Sequence, residues 1–406
     1  MLATEKMRRM ADLIAIAEAR RRVLEAVRTL PAEQLGLMQA LGRVLTENVE
    51  SPIDVPPFDS SAMDGYAVIG GPAAELEVVA EARAGHPAGV PVRPGTAIEI
   101  STGAAVPEGA TAVVPVEDTE PGAAPDTVRV PATVGGTNIR RAGEDVRAGE
   151  AVLPSGTPLG PAELGVAASV GRGSLACAGR PRVALLVTGD ELTEPGEPLE
   201  PGRIYSSNGY ALMGQAVRAG AELIGRERVP DTAEATRAAL GRALDVANVV
   251  VVSGGVSVGP HDHVKAALAA LGAEQRFWGV SLRPGKPVWF GTRGETLAFG
   301  LPGNPVSAMV TFQLFVRPAL AALQGADPSA TRTTAVLEQP IARNPRREQA
   351  VRVRLRAADG GWVASPTSGA QGSHVLTSML GADALALIGP GDGEAPAGER
   401  VEMELL

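Results

Sequence analysis

Ser253, Gly254, Gly255, Ser257 and Gly259 crowd hydroxyls and flexible backbone into one short stretch, and Asp262 follows closely. The stretch comes after Val249 to Val252, a β-branched run with the pattern of a strand buried on both faces of a parallel sheet. Small residues after such a strand let backbone N–H groups approach an anion closely. The helical spacing of Val264, Ala267, Leu268 and Leu271 predicts a helix just beyond, with Asp262 as its cap. Strand, small-residue loop and helix start together suit phosphate. A carboxylate beside phosphate repels it unless a cation lies between them, so Asp262 points to magnesium.

Other phosphate loops fail on spacing. The glycines follow G-G-x-x-x-G, not the G-x-G-x-x-G of a dinucleotide fold. The segment Gly279 to Lys286 has one residue too many between its glycines for a Walker A loop, and Pro287 stands where Ser or Thr would hold magnesium.

Further polar groups sit at the ends of apolar runs. Asp59 lies in Pro56-Pro57-Phe58-Asp59-Ser60-Ser61-Ala62-Met63-Asp64-Gly65-Tyr66, a run of hydroxyls and carboxylates on a stiff proline base. Thr102 closes a strand-like run, and Asp145 ends Ala142-Gly143-Glu144-Asp145. Glu191 follows the strand Val183 to Val187 within Thr188-Gly189-Asp190-Glu191-Leu192, and Asp231 follows the strand Leu223 to Val229. Arg283 and Lys286 share a proline-bounded turn, and Ser307 closes Leu301-Pro302-Gly303-Asn304-Pro305-Val306-Ser307. Arg352 and Arg354 alternate on one strand face, with Ser373 and His374 in a later loop.

The elements that must position these groups follow from periodicity. Ile14 to Val27 is an amphipathic helix that packs on a core. Leu76 to Ala80 and Ala97 to Ile100 are strands of a small β-rich domain between Pro/Gly turns. From Arg182 strands alternate with helices at Asn208 to Ala219 and from Thr232, the pattern of a parallel sheet with right-handed crossovers. Ligands collect beyond the carboxyl ends of such strands, which would bring Asp190 or Glu191, Asp231 and Asp262 to the edge that carries the Ser253 to Gly259 loop. A helix from Val306 to Leu323 closes that domain, and short strands resume from Thr331.

At 406 residues the chain exceeds one core, so several domains are expected. Hydrophobic residues at 45% and charged residues at 20% describe a globular, water-soluble protein, and no apolar run approaches the roughly 18 residues of a membrane span. A cytoplasmic location is expected, because the N-terminus lacks a long apolar core with a cleavage site. A net charge of −9 and 3% aromatic residues argue against nucleic acid as a partner. Cys177 is the only cysteine, which excludes an internal disulfide and reads as a buried thiol.

Five segments in order resemble the molybdopterin molybdenumtransferases. They are Pro57 to Ala67, Thr188 to Leu192, Ser253 to Gly259, Pro284-Gly285-Lys286-Pro287 and Leu301 to Pro305. The gephyrin C-terminal region shares the architecture. The resemblance implies a multidomain α/β plus β fold: a connecting domain at 13–52 and 142–180, a β-rich insertion domain at 53–141 that reaches the partner subunit of a homodimer, a parallel-sheet nucleotide domain at 181–328 and a C-terminal β-barrel at 329–406. It implies insertion of molybdenum from molybdate into adenylylated molybdopterin with Mg2+-dependent release of AMP, and contact with the upstream adenylyltransferase. Asp59, Thr102, Glu191 and Asp262 would be catalytic, and Asp145, Glu191, Asp231 and Asp262 would bind the metal. Ser253, Gly254, Gly255, Ser257, Gly259, Arg283, Lys286, Ser307, Arg352 and Ser373 would bind substrate. Some relatives carry Lys where this chain has Gly279, which would weaken or relocate one anion contact. The rival readings are the preceding adenylyl transfer, run by a smaller family with a similar loop, and a peptide-binding scaffold.

Overall fold

The computed structural model describes residues 13–257 and 262–406. The chain divides into two compact units. The first combines the described part of Met1–Gln34 with Gly42–Thr46 and Ala176–Leu406, and the second combines Leu35–Leu41 with Glu47–Leu175.

The first unit holds helix α1 (Ile16–Glu25) and an alternating series: β1 (Arg182–Thr188), α2 (Asn208–Arg218), β2 (Glu222–Val229), α3 (Ala233–Val246), β3 (Val249–Ser253), α4 (Val264–Ala270), β4 (Glu274–Trp278), β5 (Trp289–Arg293) and β6 (Thr296–Leu301). The sheet order is β2-β1-β3-β6-β5-β4. The pairs β1 with β2, β1 with β3 and β3 with β6 are parallel, as the alternating pattern predicts. The far side differs, because β5 runs antiparallel to both β6 and β4. Its connection to β6 is the two-residue turn Gly294-Glu295, too short for the crossover a parallel pair needs.

Alternation along β3 divides the interior. Val249 and Val251 enter one core with Leu212 and Ala216 of α2 and Ile16, Ala19 and Val23 of α1. Val250 and Val252 enter the other with Leu240 and Leu244 of α3 and Leu268 of α4. The expected α3 start is correct, since the Thr232 side chain accepts from the Ala235 N–H at 3.3 Å. The expected cap of α4 is displaced by one residue: His263 occupies that position, and Asp262 precedes it.

The closing helix is continuous but irregular, with α5 (Pro305–Thr311), a π turn at Phe312–Val316 and α6 (Arg317–Leu323). Its 19 residues are long and apolar enough to cross a membrane, yet 78% of the span is buried inside the protein. It also carries Gln313 and Arg317, which donate to the carbonyls of Leu405 and Pro328. It is a core helix.

The strands β7 (Arg332–Leu337), β8 (Glu348–Ala358), β9 (Gly361–Pro366), β10 (Ala384–Ile388) and β11 (Arg400–Leu405) follow. They close in the order β8-β9-β7-β11-β10 and back to β8, around Leu337, Val353, Ala386 and Met403. This is the expected C-terminal barrel. A buried ion pair ties α1 to it, with Arg20 Nη2 2.5 Å from Glu404 Oε2.

The second unit contains the expected β-rich region. One sheet runs in the order Ala112–Pro115, Gly65–Val68, Thr96–Ile100, Ala74–Ala82, Thr127–Val130 and Glu120–Pro121. Its alternating residues fill two small cores, Ile98, Ile100 and Val113 on one side and Val68, Ala97 and Val114 on the other.

Candidate active site

The carboxyl ends of β1, β3 and β6 open into a cleft of about 670 Å3 in the first unit. Its walls include Glu191, Asp231, Asp262, Ser257, Ser307 and His374. Parallel strands end together, so loops far apart in sequence converge here. The expectation that three acids and the Ser-Gly-Gly loop share one edge is met. Gly259 lies outside the described residues; Ser253, Gly254 and Gly255 all line the cleft.

The loop is shaped by close packing. Gly254 has φ +98°, and a Cβ there would stand 2.7 Å from Thr188 Oγ1 and 2.8 Å from its carbonyl oxygen. Only glycine accommodates both. The Gly254 N–H donates to Leu301 O at 3.0 Å, which joins this loop to Leu301-Pro302-Gly303-Asn304. Ser253 is 1% exposed, and its hydroxyl donates to Pro302 O at 3.3 Å. Its role is therefore to brace the loop. Asn208, which sequence reasoning used only as a helix start, donates to Ser253 Oγ at 2.9 Å and to Gly303 O at 2.7 Å. Ser206 was also missed: it lines the cleft, and its buried hydroxyl has no partner among the described residues. Neither belongs to a recognisable motif, and Asn at a helix start is the only signal available.

Asp231 is held by a reciprocal pair of hydrogen bonds with Asp190, each backbone N–H donating to the other's carboxylate at 3.2 Å. Among the described residues no three His, Cys, Asp or Glu side chains converge closely enough to form a metal site by themselves. The cleft acids thus offer hard oxygen donors without a closed protein cage.

The cationic residues form a separate group. Arg352 is 1% exposed, donates from Nε to Ser378 Oγ at 3.2 Å, and has Nη2 buried without a partner among the described residues. Burial pulls its pKa down to about 10. Arg354 shares its strand face as expected but is exposed. Arg283 is also exposed, and it stands near Arg347, whose pKa is lowered first by burial and then by the Arg283 charge. Lys286 adjoins the cleft residue Pro287. Ser373 Oγ accepts from Asn304 Nδ2 at 3.1 Å, and its carbonyl accepts from Val306 N–H at 3.1 Å. The barrel loop carrying Ser373 thus meets the cleft wall, although Arg283, Lys286, Arg352 and Ser373 are not themselves wall residues. Gly279 has φ +90°, and a Cβ there would stand 2.7 Å from the Leu13 side chain, so a lysine here would strain the backbone.

In the second unit Asp59 accepts from the Ala142 N–H at 2.9 Å and pairs with Arg141 at 2.5 Å. The Ala142 N–H and then the Arg141 guanidinium hold it below the usual carboxylate range. The same segment continues to Asp145, whose N–H donates to Val55 O at 3.0 Å. The Thr102 N–H donates to Asp64 Oδ1 at 2.7 Å. Asp59 and Asp145 thus belong to one joined segment, and Thr102 is anchored through Asp64.

The described geometry defines a multidomain protein with a sheet-and-helix domain, a phosphate-type cleft beyond its parallel strand ends and a closed β-barrel. Residues 14–171 match the MoeA N-terminal region (domain I and II), 184–322 a probable molybdopterin binding domain, and 334–406 the MoeA C-terminal region (domain IV). The chain belongs to the molybdopterin molybdenumtransferase family. It is 38% identical to molybdopterin molybdenumtransferase 2 of Mycobacterium tuberculosis, over 96% of this chain and 98% of that one. It is 34% identical to molybdopterin molybdenumtransferase of Haemophilus influenzae, over 97% and 98%. The crystal structure of the molybdopterin biosynthesis moeA protein from Pyrococcus horikoshii OT3 superposes with a TM-score of 0.81 at 30% identity, covering 97% of this chain and 100% of that one.

Proposed function

We propose that this transferase of molybdenum cofactor biosynthesis takes molybdenum from molybdate, acts on adenylylated molybdopterin and releases AMP with Mg2+. The observation that carries the reading is the convergence of Glu191, Asp231 and Asp262 on the cleft that holds the Gly254 to Ser257 loop. The loop binds phosphate through backbone N–H groups, and Ser307 lines the same cleft. Glu191, Asp231 and Asp262, with Asp145, are the proposed metal-binding residues. Bound Mg2+ would withdraw charge from the phosphoanhydride and stabilise the leaving AMP oxygens.

Molybdate, a dianion, is assigned to Arg283, Lys286, Arg352 and Ser373. Arg352 supports this best, because a buried guanidinium with no carboxylate partner among the described residues gains from an anion. Asp59 and Thr102 are assigned catalytic roles. The reading includes a homodimer, a cytoplasmic location, delivery of substrate by an upstream adenylyltransferase, and division into the domains 13–52 with 142–180, 53–141, 181–328 and 329–406.

The test is AMP release from adenylylated molybdopterin, followed against Mg2+ and molybdate concentration. Release that needs both supports the reading. Formation of adenylylated molybdopterin from ATP, with no AMP release, would instead assign the chain to the preceding adenylyl transfer.

A further inference from the structure

Two side chains outside the Ser253 to Gly259 loop hold carbonyls of that loop. Trp278, at the end of β4, donates from Nε1 to Val256 O at 3.0 Å. Lys265, in α4, donates from Nζ to Ser257 O at 2.6 Å, and the same Nζ lies 4.3 Å from the centre of the Trp278 ring. Two successive carbonyls of the loop are therefore fixed by one stacked pair.

The consequence follows from the peptide bond. A trans peptide is planar, and its N–H points opposite to its C=O. Fixing the Val256 carbonyl toward Trp278 turns the Ser257 N–H of the same peptide away from Trp278. None of the hydrogen bonds among the described residues uses the N–H of Gly255, Val256 or Ser257. Val256 and Ser257 both line the cleft.

We propose that Trp278 and Lys265 are positioning residues, which lock the Val256-Ser257 peptide so that its N–H is presented to a phosphate in the cleft. Neither touches the phosphate through its side chain in this assignment. The inference about phosphate rests on the proposed function; the lock itself does not.

Hydrogen exchange on the full chain without ligand tests the lock. Trp278→Phe keeps an aromatic face for Lys265 and removes only the N–H donor. Exchange of the Gly254 N–H, the loop amide protected by its bond to Leu301 O, is expected to quicken about tenfold, with the remaining sheet unchanged. Lys265→Met is expected to do the same, and Lys265→Arg to restore protection. Calorimetry with AMP and Mg2+ is the second arm, with about fivefold to tenfold weaker binding expected in Trp278→Phe and Lys265→Met. Unchanged exchange in Trp278→Phe would overturn the lock, even if AMP binding fell. Faster exchange in a protein whose wild type binds no AMP would uphold the lock and count against the nucleotide reading instead.

Discussion

Asp190 and Asp231 clasp each other's backbone: each N–H donates to the other's carboxylate at 3.2 Å, joining the ends of β1 and β2. Asp231 therefore serves the fold with one oxygen while its residue lines the cleft. Asp231→Asn keeps an acceptor for the Asp190 N–H and removes the charge. It should fold normally and lose Mg2+-dependent AMP release by about 100-fold or more, as should Asp262→Ala. Release measured across a Mg2+ titration checks this, and wild-type activity in either variant would remove that acid from the metal.

Arg352 is a buried cation without a carboxylate partner among the described residues, so its charge costs stability. Arg352→Met fills similar volume without charge. Its melting temperature without ligand should equal or exceed that of the wild type, while the stabilisation conferred by molybdate should vanish. Ser373→Ala should raise the molybdate concentration required more than it weakens binding of the adenylylated pterin. Thermal shifts with molybdate and with AMP separate the two ligands, and equal losses for both would contradict this division.

At Gly254 the left-handed backbone and the contacts with Thr188 leave no room for a side chain. Gly254→Ala should cost roughly 2–3 kcal/mol through strain and displacement of the loop. Denaturant unfolding measures the cost, and AMP binding should fall with it. A variant as stable as the wild type would show that the loop shifts at no expense.

Arg226 grips Glu194 in a two-pronged pair, at 3.0 and 2.8 Å, and lies 4.7 Å from the Tyr210 ring centre. The Arg226 hydrogen bonds, aided by Tyr210, lower the Glu194 pKa. A lowered carboxylate pKa adds stability above the unfolded value, and that stability disappears as pH falls through the folded value. Glu194→Gln should therefore destabilise by about 1 kcal/mol at neutral pH and progressively less in acid. Melting temperatures of both proteins across pH 3 to 8 should converge at the acid end (about that range, set by ordinary carboxylate titration). A gap independent of pH would mean that the lost contact is not ionic.

Much of the site could be read before folding was considered. Strand β3, its small-residue loop and the acids after β1 and β2 were visible because alternation and glycine placement are local properties. Asp262 lines the cleft and precedes the cap of α4; a cleft acid and a helix cap both favour a carboxylate after a loop, and only backbone angles tell them apart. Asn208, Ser206, Trp278 and Lys265 were not assigned to the site. Each acts by touching a loop distant in sequence, and residue type alone does not disclose its partner.

The sequence by itself determined the alternating strands and helices, the β-rich and barrel segments, and the positions of glycines and acids, because each depends on residues within a few places of one another. The direction of β5 was implicit in its two-residue turn, but its place in the sheet was set by packing. Only the tertiary structure decided that Arg352 is buried while Arg354 on the same face is exposed, because exposure depends on what lies over a strand. It also decided that Ser253 braces its loop, because that hydroxyl meets Pro302 and Asn208 only after three separate loops converge.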